Sequence, residues 1–181
     1  ALAAAVRALG GEVAREGRDE GIVVEATGAA GLGALSLGGG VKGQAARLAL
    51  PGAEGEPQAY ASGLYVVPHA DGTVGLGSTS EKAWDDPVAT DAALDDVVAR
   101  ARAVVPALRD APVLERWAAL RPRAADGGLV VGRRAPGGPI LANGGFRTGF
   151  GMAPLVAGLV ADLALEGLDR IPASARADRL P

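Results

Sequence analysis

The stretch "ILANGGFRTGFGMAPLVAGLVADLALEG", residues 140–167, imposes the strictest local requirement in this chain. An apolar strand must become an apolar helix through a loop that is largely glycine. Ile140, Leu141 and Ala142 read as a short buried strand. Helix-period apolar residues from Ala153 to Glu166, closed by Gly167 as a C-terminal cap, predict the helix. Glycine permits positive φ and lets backbone N–H groups come close to another molecule. The helix N-terminus behind the loop favours negative charge. A cation, Arg147, stands among these glycines. The stretch therefore reads as a ligand-holding loop, with a plain strand-to-helix junction as the alternative.

The rest of the chain alternates element types. "ALAAAVRALGG" is helical by propensity and stops at Gly10-Gly11. "GIVVEATGAAG" reads as a buried strand ending at Thr27-Gly28, and "VKGQAARLAL" as extended structure after Gly38 to Gly40. Alternation in "AYASGLYVVPHADGTVGLGSTS" predicts two antiparallel strands joined by a turn at His69-Ala70-Asp71-Gly72. A helix follows to about Val105, with Thr90 as N-cap, Asp91 in its first turn, and Leu94, Val97, Val98, Ala101, Val104, Val105 and Leu108 on one side. "VLERWAALRP" and "LVVG" are strands separated by the loop "RAADGG", and the polar tail after Leu168 is expected to pack loosely. This order predicts a mixed α+β fold with a piece of nucleotide-binding α/β at either end.

Several chemistries are disfavoured. Cysteine is absent, so thiol nucleophiles, disulfides and thiolate metal sites are out, which fits a reducing, cytoplasmic location. The net charge of −3 gives no basic field for nucleic acid or an anionic membrane. No apolar run is expected to reach the roughly 18 residues of a membrane span. "GLGALS", Gly31 to Ser36, matches a dinucleotide fingerprint only superficially, with no good helix after it and no acid about 20 positions on, so it reads as a loop. The single histidine, His69, sits at a turn, and no metal-ligand spacing appears. Ser62, Ser78 and Ser80 lack a base and a nucleophile elbow.

Five stretches in order, "VVEATGA", "VKGQAARL", "LYVVPHADG", "WAALRPRAADGGLVVG" and "GGFRTGFGMAP", resemble the FAD-dependent D-amino-acid oxidase and glycine oxidase family from about Val24 to the end. The resemblance implies an antiparallel substrate-binding sheet with a flanking helix, joined to the C-terminal portion of an FAD-binding α/β domain. It divides the chain into a partial FAD-binding domain (1–48), the substrate-binding sheet (49–120) and a return to the FAD-binding domain with the closing helix (121–181). The family's N-terminal phosphate-binding βαβ unit, with its G-x-G-x-x-G between strand and helix, is not recognisable in these 181 residues.

The resemblance also implies roles. Arg121 matches the arginine that grips the substrate carboxylate, a task suited to a two-pronged guanidinium. Tyr65 matches a tyrosine facing the substrate, and Arg147 an arginine near both substrate and flavin. Thr27 and Gly28, with Gly145, Phe146, Arg147, Thr148, Gly149, Phe150 and Gly151, match the flavin-contacting segments, the loop's N–H groups meeting the pyrimidine end of the ring. No metal and no catalytic side chain is implied. The implied activity is FAD-dependent oxidation of the C–N bond of glycine, a D-amino acid or a sarcosine-like amine to an imine, with oxygen returning as hydrogen peroxide. The alternative is a non-catalytic amino-acid-binding fragment or subunit. A homo-oligomer, or a partner chain supplying the nucleotide-binding half, is expected with either. Gly145 and Thr148 stand where relatives often carry histidine and asparagine, and Ala29-Ala30 where a tryptophan commonly follows, so side-chain specificity does not carry over.

Overall fold

The computed structural model describes residues 1–181 and contains two sheets. Five antiparallel strands form the larger, in the order β3 (Ala59–Ala61), β4 (Leu64–Pro68), β5 (Thr73–Gly77), β2 (Gly38–Ala49), β6 (Val113–Ala124). The smaller sheet has the order β1 (Val24–Glu25), β8 (Ile140–Gly144), β7 (Leu129–Arg133), with β1 parallel to β8 and β8 antiparallel to β7. This is the expected α+β arrangement: an antiparallel sheet beside a remnant of parallel α/β structure.

The helix α3 (Ala92–Val104) covers one face of the larger sheet. Its 3.6-residue apolar spacing brings Leu94, Val97, Val98 and Ala101 against Ala46, Leu48, Val66, Val74 and Leu76, the largest core of the molecule. Val104, expected on this face, is exposed at the margin of the buried stripe, whereas Val105 and Leu108 beyond it pack against the core. The N-cap is Asp91 rather than Thr90: its carboxylate accepts the Ala93 N–H. The hairpin about Asp71-Gly72 forms as expected, with the Asp71 carboxylate accepting from the Thr73 N–H and hydroxyl.

Other expectations need correction. The strand expected over "GIVVEATGAAG" shrinks to two partly exposed residues at a sheet edge. Of "GLGALS", expected to be a loop, Gly31 to Ala34 instead belong to α2 (Gly28–Ala34). Burial of Leu32 among Leu37, Ala124, Val130 and Leu141 outweighs the weak propensity of its glycines. β6 continues through Pro122 to Ala124, past the expected loop start. The tail after Leu168 is not loose throughout: Ile171 and Ala175 bury against Val131, and Ala177 joins the Leu32 cluster. The expected divisions at 48/49 and 120/121 fall within the spans of β2 and β6.

The closing helix α4 (Gly149–Ala161) starts four residues before the expected Ala153 and runs into a π-helical turn (Asp162–Glu166), ended by left-handed Gly167. The combined Gly149–Glu166 segment is 18 residues long with mean hydropathy 1.4, so the expectation that no segment reaches membrane-spanning length and apolarity is overturned. No residue of this segment is fully buried. Val156, Leu159, Val160 and Leu163 pack partly against the Val131 cluster, while Phe150, Leu155 and Leu165 face outward.

Candidate substrate cavity and glycine loop

β2 and β6 pair along eleven residues each, which lays Arg121 opposite Val41, two residues along β2 from Gly43. The Arg121 side chain crosses β2 above Gly43, where a β-carbon would overlap its guanidinium. It then donates from Nη1 to the Thr79 carbonyl at 3.2 Å and from Nη2 to Ser78 Oγ at 2.5 Å. The glycine of "VKGQ" is thus the gap over which the arginine crosses β2 to reach the segment after β5.

The acceptor segment is itself anchored by a buried polar network. Gln44 is 0% exposed and Lys42 3%. The Gln44 N–H donates to Thr79 Oγ1 at 2.8 Å, and its Nε2 donates to Glu81 Oε1 at 3.1 Å and Asp91 Oδ1 at 2.8 Å. Its Oε1 accepts the Asp91 N–H at 2.9 Å. Thr79 donates its hydroxyl to Glu81, and Lys42 lies 3.8 Å from Glu81 and 3.5 Å from Asp91. Every polar atom of the Gln44 side chain has a partner, as burial demands. The network ties the start of α3 to the segment that holds Arg121.

A cavity of about 680 Å³ opens over this segment. Tyr65, Arg121, Arg147, Phe146 and Phe150 line it together with Ser62, Ser78, Thr79, Ser80 and Arg100. Three expected substrate-binding residues, Tyr65, Arg121 and Arg147, therefore share one space. The Arg121 pKa is drawn below its ordinary value, first by burial and next by the Arg147 cation, with Glu81 opposing. The Arg147 guanidinium lies 5.4 Å from the centre of the Phe146 ring and that of Arg123 5.9 Å, so two cations hold this left-handed residue in place.

The glycine loop separates this cavity from a second, more apolar cleft of about 410 Å³. Gly28, Asn143, Gly144, Gly149, Val156 and Val160 are among its walls. Gly28, Gly144 and Gly145 adopt positive φ, and the Asn143 amide ties the end of β8 to the start of α2 by donating to the Gly28 carbonyl at 2.9 Å. Of the expected cofactor residues, Gly28 and Gly149 face the cleft, and Phe146, Arg147 and Phe150 face the larger cavity. Thr27, Gly145, Thr148 and Gly151 line neither.

The expectation that the whole loop offers its N–H groups needs correction. Gly145 N–H is taken by the Gly128 carbonyl, Phe146 N–H by Pro122, and Thr148 N–H by Gly145. The N–H groups of Arg147, Gly149, Phe150 and Gly151 remain without a backbone acceptor, so the available donors cluster at the first turn of α4. An apolar cleft beside positive-φ glycines and unspent donors suits a flat, partly anionic ring. Sequence reasoning missed Gly43, Ser78, Thr79 and Arg100. The first three become significant only through strand register, and Arg100 looks like any solvated helix residue.

Residues 1–163 match the family model described as FAD dependent oxidoreductase. The chain is 32% identical over 131 residues to the bifunctional protein ThiO/ThiG of Nostoc sp., covering 69% of this chain and 20% of that protein. It is 37% identical over 105 residues to a glycine oxidase of Pseudomonas aeruginosa, covering 57% of this chain and 29% of that one. The crystal structure of glycine oxidase from Geobacillus kaustophilus superposes with a TM-score of 0.70 at 29% identity, over 84% of this chain and 43% of that one. The matched region spans less than half of each of these relatives.

Proposed function

We propose, because the chain belongs to the DAO family of FAD dependent oxidoreductases, that it forms the substrate-binding part of an amine oxidase acting on a small amino acid. The observation that carries this reading is the convergence of Arg121 and Arg147 on one cavity, beside a glycine loop whose free N–H groups open the adjoining helix. When bound, FAD supplies the two-electron acceptor. Gly28, the positive-φ turn at Gly144-Gly145 and the first turn of α4 are the residues that would hold its ring.

The side chains contribute binding and orientation. Arg121, braced by Ser78 and Thr79, and Arg147 take the substrate carboxylate, and Tyr65 closes the same wall. No carboxylate or histidine lines the cavity. The amine therefore enters uncharged, and positioning and electrostatics are the protein's main contributions. Oxidation removes two electrons and two protons from H–C–N–H to give the imine. Molecular oxygen accepts both pairs as hydrogen peroxide, and water hydrolyses the imine to a carbonyl and a free amine.

The purified protein is loaded with FAD and offered glycine, N-methylglycine and D-alanine, with peroxide release as the readout. Release with at least one of them, abolished when Arg121 is removed, supports the reading. FAD binding with no turnover of any of the three refutes it for this substrate class. A second reading, an amino-acid-binding subunit that works with a separate nucleotide-binding polypeptide, is favoured by the uncovered apolar side of α4. Amino-acid binding without FAD uptake would select it.

A further inference from the structure

Lys42 is buried, yet no step of the proposed reaction uses it. It is not among the residues lining the large cavity, so it does not meet a ligand there. A buried ammonium is costly unless its partners repay the lost hydration. Its partners, Asp91 at 3.5 Å and Glu81 at 3.8 Å, both lie beyond the reach of a strong charged hydrogen bond. Stability alone is therefore a poor account of this lysine.

Its neighbours supply a better one. Successive side chains of a strand point to opposite faces. In "VKGQ", Lys42 and Gln44 therefore lie on the face that meets the start of α3, and Gly43 on the face that Arg121 crosses. On the α3 side, Glu81 and Asp91 converge on one donor, Gln44 Nε2, at 3.1 and 2.8 Å. Carboxylates drawn that close repel each other, and Lys42 is the cation both of them pair with. The backbones of Lys42 and Glu81 exchange hydrogen bonds at 3.0 and 2.9 Å, and Glu81 also accepts the Thr79 hydroxyl. The opposite side of the same segment carries the Thr79 carbonyl and Ser78 Oγ, the two acceptors of Arg121. A chain of contacts thus runs from Lys42 through Glu81 and Thr79 to the guanidinium.

We propose, resting on the amine-oxidising reading above, that Lys42 is a positioning residue for substrate recognition: by balancing Glu81 against Asp91 it holds residues 78–81 where they aim Arg121 at the substrate carboxylate. Without the ammonium, the two acids part, the Thr79 hydroxyl loses its acceptor, and Arg121 loses its brace. The tetrapeptide then acts as one device, clamping the segment with Lys42 and Gln44 while Gly43 leaves the arginine its path.

Calorimetric titration with propionate tests this without any turnover. Lys42→Met should weaken propionate binding about tenfold, within the coupling range of residues in one network. In a Glu81→Gln background, where the second carboxylate no longer needs balancing, the same substitution should cost less than about threefold. An equal loss in both backgrounds would reduce Lys42 to a general source of positive charge and overturn the proposal, as would no loss in folded Lys42→Met. Thr79→Val tests the next link and decides the matter where Lys42→Met does not fold. It keeps the carbonyl and drops the hydroxyl, so it should weaken propionate about tenfold, and Thr79→Ser should restore it to within about threefold. Full affinity in Thr79→Val breaks the chain from Lys42 to Arg121. In that event, propionate binding that is lost in Arg121→Ala still upholds the carboxylate-binding reading. Failure of the unaltered protein to bind propionate overturns both.

Discussion

The Arg121 guanidinium occupies the space over Gly43 that a β-carbon would take. A strand residue with no side chain is thereby coupled to the group proposed to bind the substrate carboxylate. Because the overlapping atoms are the far end of a flexible side chain, Gly43→Ala should displace Arg121 and leave the sheet intact. A misplacement of about 1 Å can cost as much as hundredfold in rate. We expect KM for the preferred amino acid to rise at least about tenfold, with little change in melting temperature. Unchanged KM would show that Arg121 reaches its acceptors by another path.

Arg121→Ala goes further, removing the fork itself. Truncating one member of a desolvated charge pair costs about 2–5 kcal/mol. The loss should appear chiefly in KM, because the carboxylate is held alike before and during the reaction. Arg121→Lys should recover little, since one ammonium cannot serve Ser78, Thr79 and a carboxylate in a plane. Steady-state kinetics on the flavin-loaded variants decide it, and a lysine variant with normal KM would argue against bidentate recognition.

Much of this was legible in the residues, and the exceptions have physical causes. The hairpin at Asp71, the helix over Leu94 to Ala101 and the strand–loop–helix at Gly144 to Gly151 follow from turn chemistry and apolar period, which are local properties. Arg121, Tyr65 and Arg147 were identifiable by resemblance, and the fold brings them to one cavity. α2 was not legible, because its glycine-rich segment is poor in helix propensity and is held by burial of Leu32. The roles of Gly43 and Thr79 were hidden too. They depend on β2 pairing with β6 and on the segment after β5 returning to β2, contacts between residues dozens of positions apart.

Gln44 offers a test of the polar network. Replacing it by alanine strands the Asp91 N–H and removes donors to Asp91 and Glu81 in a buried place, which should cost about 1–3 kcal/mol of stability. Thermal or urea unfolding measures this; a loss well below that range would mean that water enters and replaces the amide.

Acid should loosen the same junction. Hydrogen bonds from Gln44 and Ala93 hold the Asp91 pKa below its ordinary 3.8, with Lys42 adding to the effect. A carboxylate whose pKa is lower in the folded protein binds protons more readily when unfolded. Its stabilising contribution is therefore complete above about pH 4 and is lost as the pH falls through the folded value. Unfolding midpoints recorded between neutrality and pH 3 should fall more steeply for the native protein than for Asp91→Asn. Parallel curves would remove Asp91 from the acid response.

The outward side of α4 yields the last test. Phe150 is 98% exposed, and Leu155 and Leu165 also face solvent, on a helix apolar enough by length and composition to enter a bilayer. Soluble monomers rarely leave so continuous an apolar surface uncovered. The inner side of the helix packs against Leu129 and the Val131 cluster, and its first turn adjoins the proposed flavin cleft. A helix fixed on one side to a sheet suits a protein cover better than lipid all round. The 181-residue protein should therefore bind a hydrophobic dye strongly, and Leu155→Ser with Leu165→Ser should roughly halve the signal, in proportion to the apolar area removed. It should not float with neutral lipid vesicles. Flotation that the double substitution abolishes would assign this side of the helix to a membrane instead.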